Sequence, residues 1–342
     1  MHKSEVINRG PVKDNLYIGN DKISVSKSPY AAYENNEEEE LVEKGKGRYV
    51  NIENIILQAQ MGNLKIRDED DVDLQILKAL LELEVATSRM ITHYLYIRGI
   101  NRFQKDIQKR LVYLSKIKAV SAFEFRSKDK NGKERRNHTS IYYLDTASEF
   151  ILKSQDIQVS KDSLYSALKS KNGIKKSLSR NQLLLSYLSN IENIEFSKIS
   201  PTYKLNGGIE LKPDLLVVFS KEKKNEYFFF EVVRAFDGWE NRMLEKQRKY
   251  KQFIEEFKPS KTIQKVPQLV MVAEDDVHAF NIFKALLIND CIPSNQRYIY
   301  TTDNRVLSEN IKDDGLFIFD LKENNEVHLN IITPKLFNVI PG

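Results

Sequence analysis

Residues 212–219 read KPDLLVVF, and residues 226–253 read EYFFFEVVRAFDGWENRMLEKQRKYKQF. Both begin with runs of β-branched and aromatic residues, the composition of strands covered on both faces. After Gly238 the apolar residues take up helical spacing, so a long amphipathic helix is expected. The intervening KEKKN is a polar turn. An antiparallel hairpin of these two strands brings Asp214 and Glu231 to one edge. Carboxylate oxygens converging there suit Mg²⁺ or Mn²⁺. A cation so held can activate water and stabilise a pentavalent phosphate transition state.

Outward from this hairpin the alternation of strands and helices continues. IEFSKISPTYK (194–204) precedes it as another strand candidate, with Gly207-Gly208 at the turn. PQLVMVAE (267–274) reads as a strand and DVHAFNIFKALLI (276–288) as a helix. RYIYTT, GLFIFD and VHLNIITP read as short C-terminal strands. Upstream, 150–192 is helical, best defined at RNQLLLSYLSNI (180–191). Residues 149–342 are therefore expected to form one α/β domain.

Residues 71–148 follow a different order: helix, helix, helix, hairpin. DVDLQILKALLEL places Leu74, Leu77, Leu80 and Leu81 on one face. TSRMITHYLYI opens on Thr87 or Ser88 as an N-cap. NRFQKDIQKRLVYLSK carries an apolar stripe of Phe103, Ile107, Leu111 and Leu114. AVSAFEFRS and SIYYLD read as strands joined by a polar tip containing Asn131-Gly132, a hairpin-turn signal. That order is the winged helix-turn-helix, with the third helix as recognition helix and the hairpin as wing. Off the apolar stripe lie Arg102, Gln104, Lys105, Gln108, Lys109 and Lys116, types that pair with base edges or phosphates. The wing adds Lys128, Lys130, Lys133, Arg135 and Arg136, suited to holding a duplex in register. Double-stranded DNA is the expected partner.

Residues 1–70 read as an acidic arm, with Glu37–Glu40 and Asp68–Asp71 as its charge runs. Leu16–Ile18 and Ile52–Leu57 are its two apolar stretches able to dock on a folded domain. The net charge of +5 is mild; the basic block from Arg98 to Arg136 carries the nucleic-acid signal. No apolar run has the length of a transmembrane helix, and the N-terminus has no apolar core of a secretory signal. No membrane partner is expected. A single cysteine, Cys291, and five histidines argue against disulfides and structural zinc, which suits a reducing cytoplasm. Trp239 and Tyr250 read as packing residues.

The Pro213-Asp214 and Glu231 pattern resembles the PD-(D/E)xK nucleases, in which an apolar strand carries Glu-x-Lys after a Pro-Asp turn. Here Val233 stands where that lysine would be. Arg234 follows it, and Lys246, Arg242 and Lys249 on the next helix are candidate substitutes. Lys212-Pro213-Asp214, Glu231, Arg234, Lys246 and Tyr250 together resemble the replication-relaxation family of bacterial plasmid and conjugative-element proteins. Val233 and Ala235 depart from that family's usual Asp and Gly.

The resemblance implies an α+β protein of two domains: a winged helix over 71–148, then a PD-(D/E)xK restriction-endonuclease-like α/β domain. It implies work on mobile-element DNA in replication, relaxation or mobilisation, as in mobilisation relaxases of the MobC type. Asp214, Glu231, Arg234 and Lys246 become the catalytic candidates. Asp214 and Glu231 would be ligands for Mg²⁺ or Mn²⁺. A homodimer, and relaxosome or replication proteins, are candidate partners. The alternative is a DNA-binding regulator or accessory factor whose nuclease fold is silent.

Overall fold

The computed structural model describes residues 17–18, 40–44, 50–128, 134–135, 140–159, 170–221, 224–291, 298–307, 311, 315–323 and 325–332. It is a mixed α+β chain of two compact units, Tyr33–Leu185 and Ser186–Gly342, the latter joined by Met1–Ala32. The earliest strand, Tyr17–Ile18 (β1), belongs to the second unit. Among the described residues no helix is long and apolar enough to cross a membrane.

The first unit begins with Glu40–Lys44 (β2) and Ile52–Gln60 (α1). Its centre is Val72–Leu83 (α2), Val85–Thr87 (β3), Ser88–Ile97 (α3) and Gln104–Lys116 (α4). Val120–Lys128 (β4), Glu134–Arg135 (β5) and Ser140–Leu144 (β6) follow, then Thr146–Lys153 (α5). The sheet order is β2-β4-β6-β3, with β5 paired to β4. Neighbouring strands run antiparallel, for example Val120↔Leu144 and Val85↔Tyr143. Leu74, Ile76, Leu77, Ala79, Leu80 and Leu83 of α2 are buried. Ile107, Leu111 and Leu114 of α4 are buried too, at the spacing that keeps one helical face inward.

Helix starts and stops follow local chemistry. The Thr87 hydroxyl accepts from the Met90 N–H at 3.2 Å and caps α3. Between α2 and α4 lies a buried ion pair that sequence reading missed. Asp73, 0% exposed, accepts from Arg110 Nε at 2.7 Å and from the Lys65 N–H at 2.8 Å. Arg110 also donates to the Asn63 carbonyl at 2.8 Å and lies over the Tyr113 ring.

Parts of the segment expected as an arm are built into the fold. Leu41 of β2 stands opposite Phe125, and Glu40 opposite Arg126. Ile55, Leu64 and Ile66 are buried, so withdrawing 50–68 would expose core. The acidic run Asp68–Asp71 makes a turn: Asp71 Oδ2 accepts from the Arg67 and Asp68 N–H groups at 2.8 and 3.1 Å. Carboxylates placed for charge on paper thus satisfy backbone donors ahead of α2.

The division between units falls at Leu185/Ser186, inside Lys171–Asn190 (α6), whereas the sequence reading divides the chain at 148/149. The reason is polar. Asn181 Nδ2 donates to the carbonyls of Leu83 and Val85 at 2.8 and 2.6 Å. Arg180, 3% exposed, pairs with Glu84 at 3.1 Å. These bonds fix the first part of α6 to α2 and β3.

The second unit contains Ile194–Ile199 (β7), Tyr203–Lys204 (β8), Glu210–Leu211 (β9), Leu215–Lys221 (β10) and Lys224–Val232 (β11). Trp239–Glu255 (α7), Gln268–Ala273 (β12), Asp276–Ile288 (α8), Ile299–Thr302 (β13) and Asp303–Val306 (α9) come next. Leu316–Leu321 (β14) and Glu326–Ile332 (β15) end it. The large sheet has the order β1-β15-β14-β13-β12-β11-β10-β7. β11, β12 and β13 run parallel, linked by the crossover helices α7 and α8, and β10 is antiparallel to β11.

Alternate residues of β11 serve the two faces of the sheet. Phe229 packs on Tyr250 and Phe253 of α7, with ring centroids 6.1 and 5.6 Å apart. Phe230 packs on Tyr187 of α6 at 5.4 Å. Both faces are apolar because both are covered, as the unbroken run YFFF implies. Gly238, at φ +70°, turns the chain from β11 into α7, a conformation a side chain would strain.

Candidate functional site

In the β10–β11 ladder Leu215 pairs with Phe230, so Asp214 and Glu231 flank the same end of the hairpin. Asp214 Oδ2 accepts from the Val232 N–H at 2.8 Å, and its carbonyl accepts from the Ser200 N–H at 3.0 Å. These bonds fix the aspartate in place and leave Oδ1 turned to Lys246 Nζ, 3.6 Å away. Glu231 is 4% exposed. Its Oε1 and Oε2 lie 2.7 and 2.6 Å from Lys246 Nζ, and the Tyr250 hydroxyl donates to Oε2 at 2.9 Å.

Lys246 and Tyr250 meet Glu231 because residues four apart share a helix face, and α7 lies along β11. Burial, followed by the negative charges of Glu231 and Asp214, pushes the Tyr250 phenol well above its ordinary value. The hydroxyl is therefore a fixed donor at any physiological pH. Tyr250, expected to be packing alone, packs through its ring and holds the carboxylate through its oxygen. Val233 is buried in the apolar cluster that includes Met243 and Leu244. That position belongs to the core, and the ammonium group comes from α7.

Of the candidate substitutes, Lys246 reaches both members of the carboxylate pair. Arg242 stacks over the Phe236 ring, and Lys249 pairs with Glu245 at 3.8 Å. Arg234, grouped with the catalytic candidates, belongs to a second cluster. It lies just past the end of β11, 4% exposed, with Nε 3.2 Å from Glu274 Oε1 and Nη1 donating to Asp303. Glu274 follows β12 and Asp303 follows β13, so the three groups line the C-terminal ends of the parallel strands.

The Ala235 N–H also donates to Glu274, at 3.0 Å, and the Glu274 N–H donates to His278 Nδ1 at 3.3 Å. Burial raises the Glu274 carboxyl, outweighing the attraction of Arg234. Burial, with help from the Arg234 charge, pushes His278 down to about 3. Its ring stands edge-on to Trp239 at 5.0 Å. Glu274, Asp303 and His278 were not singled out from sequence, because only the parallel strand order brings their chain segments together.

The donor set at Asp214 and Glu231 fits a hard cation in type, being carboxylate oxygens. Among the described residues no group of three or more His, Cys, Asp or Glu side chains stands ready to hold a metal. Lys246 Nζ sits where the carboxylate oxygens converge, so an ion bound there displaces or shifts the ammonium.

Arg102, ahead of α4, and Gln104, Lys105, Gln108, Lys109 and Lys116 on it are all exposed. Lys109 pairs with Asp106 at 3.5 Å. The side-chain amides of Gln104 and Gln108 both donate to Ser88 Oγ, at 3.2 and 3.3 Å. Phe103 departs from the expected apolar stripe and is 80% exposed. It is the N-cap, with extended φ −74° and ψ 139°, so helical spacing does not reach it. Lys128 and Arg135 lie on the paired strands β4 and β5. Lys130, Lys133 and Arg136, like Asn131-Gly132, lie outside the described residues. Comparison with protein-family models, with curated proteins and with solved structures finds no match to this chain.

Proposed function

We propose that this chain binds double-stranded DNA of a bacterial mobile element through a winged helix over 71–148. We propose further that its second unit is a PD-(D/E)xK-like domain that nicks the DNA backbone in replication, relaxation or mobilisation. The meeting of Asp214, Glu231 and Lys246 carries this reading. The cation that Val233 cannot supply arrives one element later, 2.6 Å from Glu231. Support for the DNA-binding part comes from the order α2-β3-α3-α4-β4-β6 and the exposed basic face of α4.

In this reading Asp214 and Glu231 would hold Mg²⁺ or Mn²⁺. Lewis-acid polarisation of the phosphodiester is the chemistry such an ion would supply when bound. Lys246 turns its ammonium toward the phosphate and offsets charge on the non-bridging oxygens. Tyr250 donates to Glu231 Oε2 and keeps the carboxylate oriented. Water would add to phosphorus and give up a proton to solvent, the P–O bond to the leaving sugar would break, and that sugar oxygen would take up a proton. Partners are duplex DNA, a second copy on a palindromic site, and relaxosome or replication proteins.

One observation favours a second reading, a DNA-binding regulator with a silent nuclease fold: Lys246 already neutralises Glu231 on both oxygens. Conversion of supercoiled plasmid carrying the element's origin to open circles, with Mn²⁺, separates the two. Nicking that drops about a hundredfold or more in Asp214→Ala and Glu231→Ala supports the enzyme. A retarded band without nicking leaves the regulator. Failure to bind duplex DNA at all sinks both.

A further inference from the structure

Ser88 opens α3, is 8% exposed, and accepts two side-chain hydrogen bonds across the helix pair. Gln104 Nε2 lies 3.2 Å from its Oγ and Gln108 Nε2 lies 3.3 Å away. The two glutamines are one turn apart on α4, and both residues are exposed. We infer that Ser88 is a positioning residue that presents Gln104 and Gln108 together as a reader of adenine in the major groove. This rests on the DNA-binding reading above and deepens it from duplex DNA to a base preference.

The chemistry follows from counting donors and acceptors. A glutamine amide has two N–H donors and a carbonyl oxygen. With one N–H spent on Ser88, each amide keeps one N–H and Oε1. Adenine offers N7 as acceptor and its N6 amino group as donor on the major-groove edge. The remaining N–H and Oε1 match that pair.

Both amides draw on one hydroxyl oxygen, which has two lone pairs to give. Their amide planes are therefore oriented before DNA arrives, and the rotamer freedom of two long side chains is already lost. Arg102, Lys105 and Lys109 flank the pair and suit phosphates or guanine edges. The glutamines carry the adenine preference, and Ser88, which stays away from the DNA, sets it.

The test is selection from a random duplex library with the full chain, comparing wild type with Gln104→Ala, Gln108→Ala, Ser88→Ala and Ser88→Thr. Wild type should enrich a site with adenines at two neighbouring positions. Each glutamine variant should lose preference at one of them by about fivefold or more. Ser88→Ala should weaken both at once, with melting temperature and affinity for non-specific duplex unchanged. Ser88→Thr, which keeps a hydroxyl, should retain both. A site whose adenines do not respond to Ser88→Ala, or a wild-type site without adenine at glutamine-sensitive positions, overturns the inference and leaves DNA binding standing. Wild type that binds no duplex overturns both readings.

Discussion

Glu231 shows how much one residue's surroundings decide. A carboxylate at 4% exposure would be costly alone, but an ammonium and a phenol share its two oxygens. The lysine was legible as a candidate because its side chain is the right type at a helical distance after the strand. The tyrosine oxygen was not, since an aromatic on a helix facing a sheet reads as core and most of its surface is core.

His278 is a residue-scale test of the neighbouring cluster. Its ring is neutral in the fold, with a pKa of about 3 against an ordinary 6.5. A depressed folded pKa gives stability that is full above 6.5 and is lost as pH falls toward 3, because the unfolded chain takes up the proton first. At about 1.4 kcal/mol per unit, the span is on the order of 5 kcal/mol. Glu274, whose folded pKa is raised, works the other way: its contribution is lost as pH rises through the folded value. In urea unfolding between pH 4 and pH 7, His278→Gln should therefore lose less stability on acidification than wild type. Equal slopes in the two proteins would contradict the account.

At the scale of elements, α4 has a dry face and a wet face, and the two tolerate change differently. Ile107, Leu111 and Leu114 face inward, and truncating Ile107 to alanine should cost about 2–5 kcal/mol. Phe103→Ala, at the exposed N-cap, should change stability by less than about 0.5 kcal/mol. Arg110 is half-buried, at the border of the two faces. Its removal leaves Asp73, 0% exposed, without its counter-charge, so Arg110→Ala should cost about 3–5 kcal/mol in chemical denaturation. A cost below 1 kcal/mol would mean that Asp73 is satisfied by the Lys65 N–H alone. The period of the apolar residues made α4 readable as a helix. The Asp73–Arg110 pair was not readable, because 37 residues separate its members and nothing local links them.

For the whole molecule, the described parts of the chain before α2 are built into the fold. β1 adds two residues to the edge of the large sheet, pairing Tyr17 with Glu326. β2 completes the edge beside β4, and α1 with its following loop buries Ile55, Leu64 and Ile66. Removing residues 1–32 should lower stability modestly, by about 1 kcal/mol, since a two-residue edge contributes few hydrogen bonds. Removing 1–68 should cost several kcal/mol, because three core side chains at about 1.5–3 kcal/mol each go with it. Thermal melting of the two truncated chains checks this order. Equal melting temperatures would return the whole segment to the status of a loose arm.

The sequence by itself determined the kinds of the longer elements from α2 onward. Unbroken runs of valine and phenylalanine, helical stripes of leucine and isoleucine, and the turn at Gly238 are local properties, and local sterics act on them wherever the chain goes. It also marked Asp214, Glu231 and Lys246, because a strand hairpin and the next helix are near neighbours along the chain. The tertiary structure alone decided which cation serves the carboxylates, where Arg234 spends its charge and where one unit ends and the next begins. Arg234 met Glu274 and Asp303 across 40 and 69 residues, through parallel strands whose order no local pattern encodes. The unit boundary fell inside α6 because Arg180 and Asn181 bond backbone and side chain nearly a hundred residues away. Such contacts follow from how packed elements share a small volume, which only the folded chain specifies.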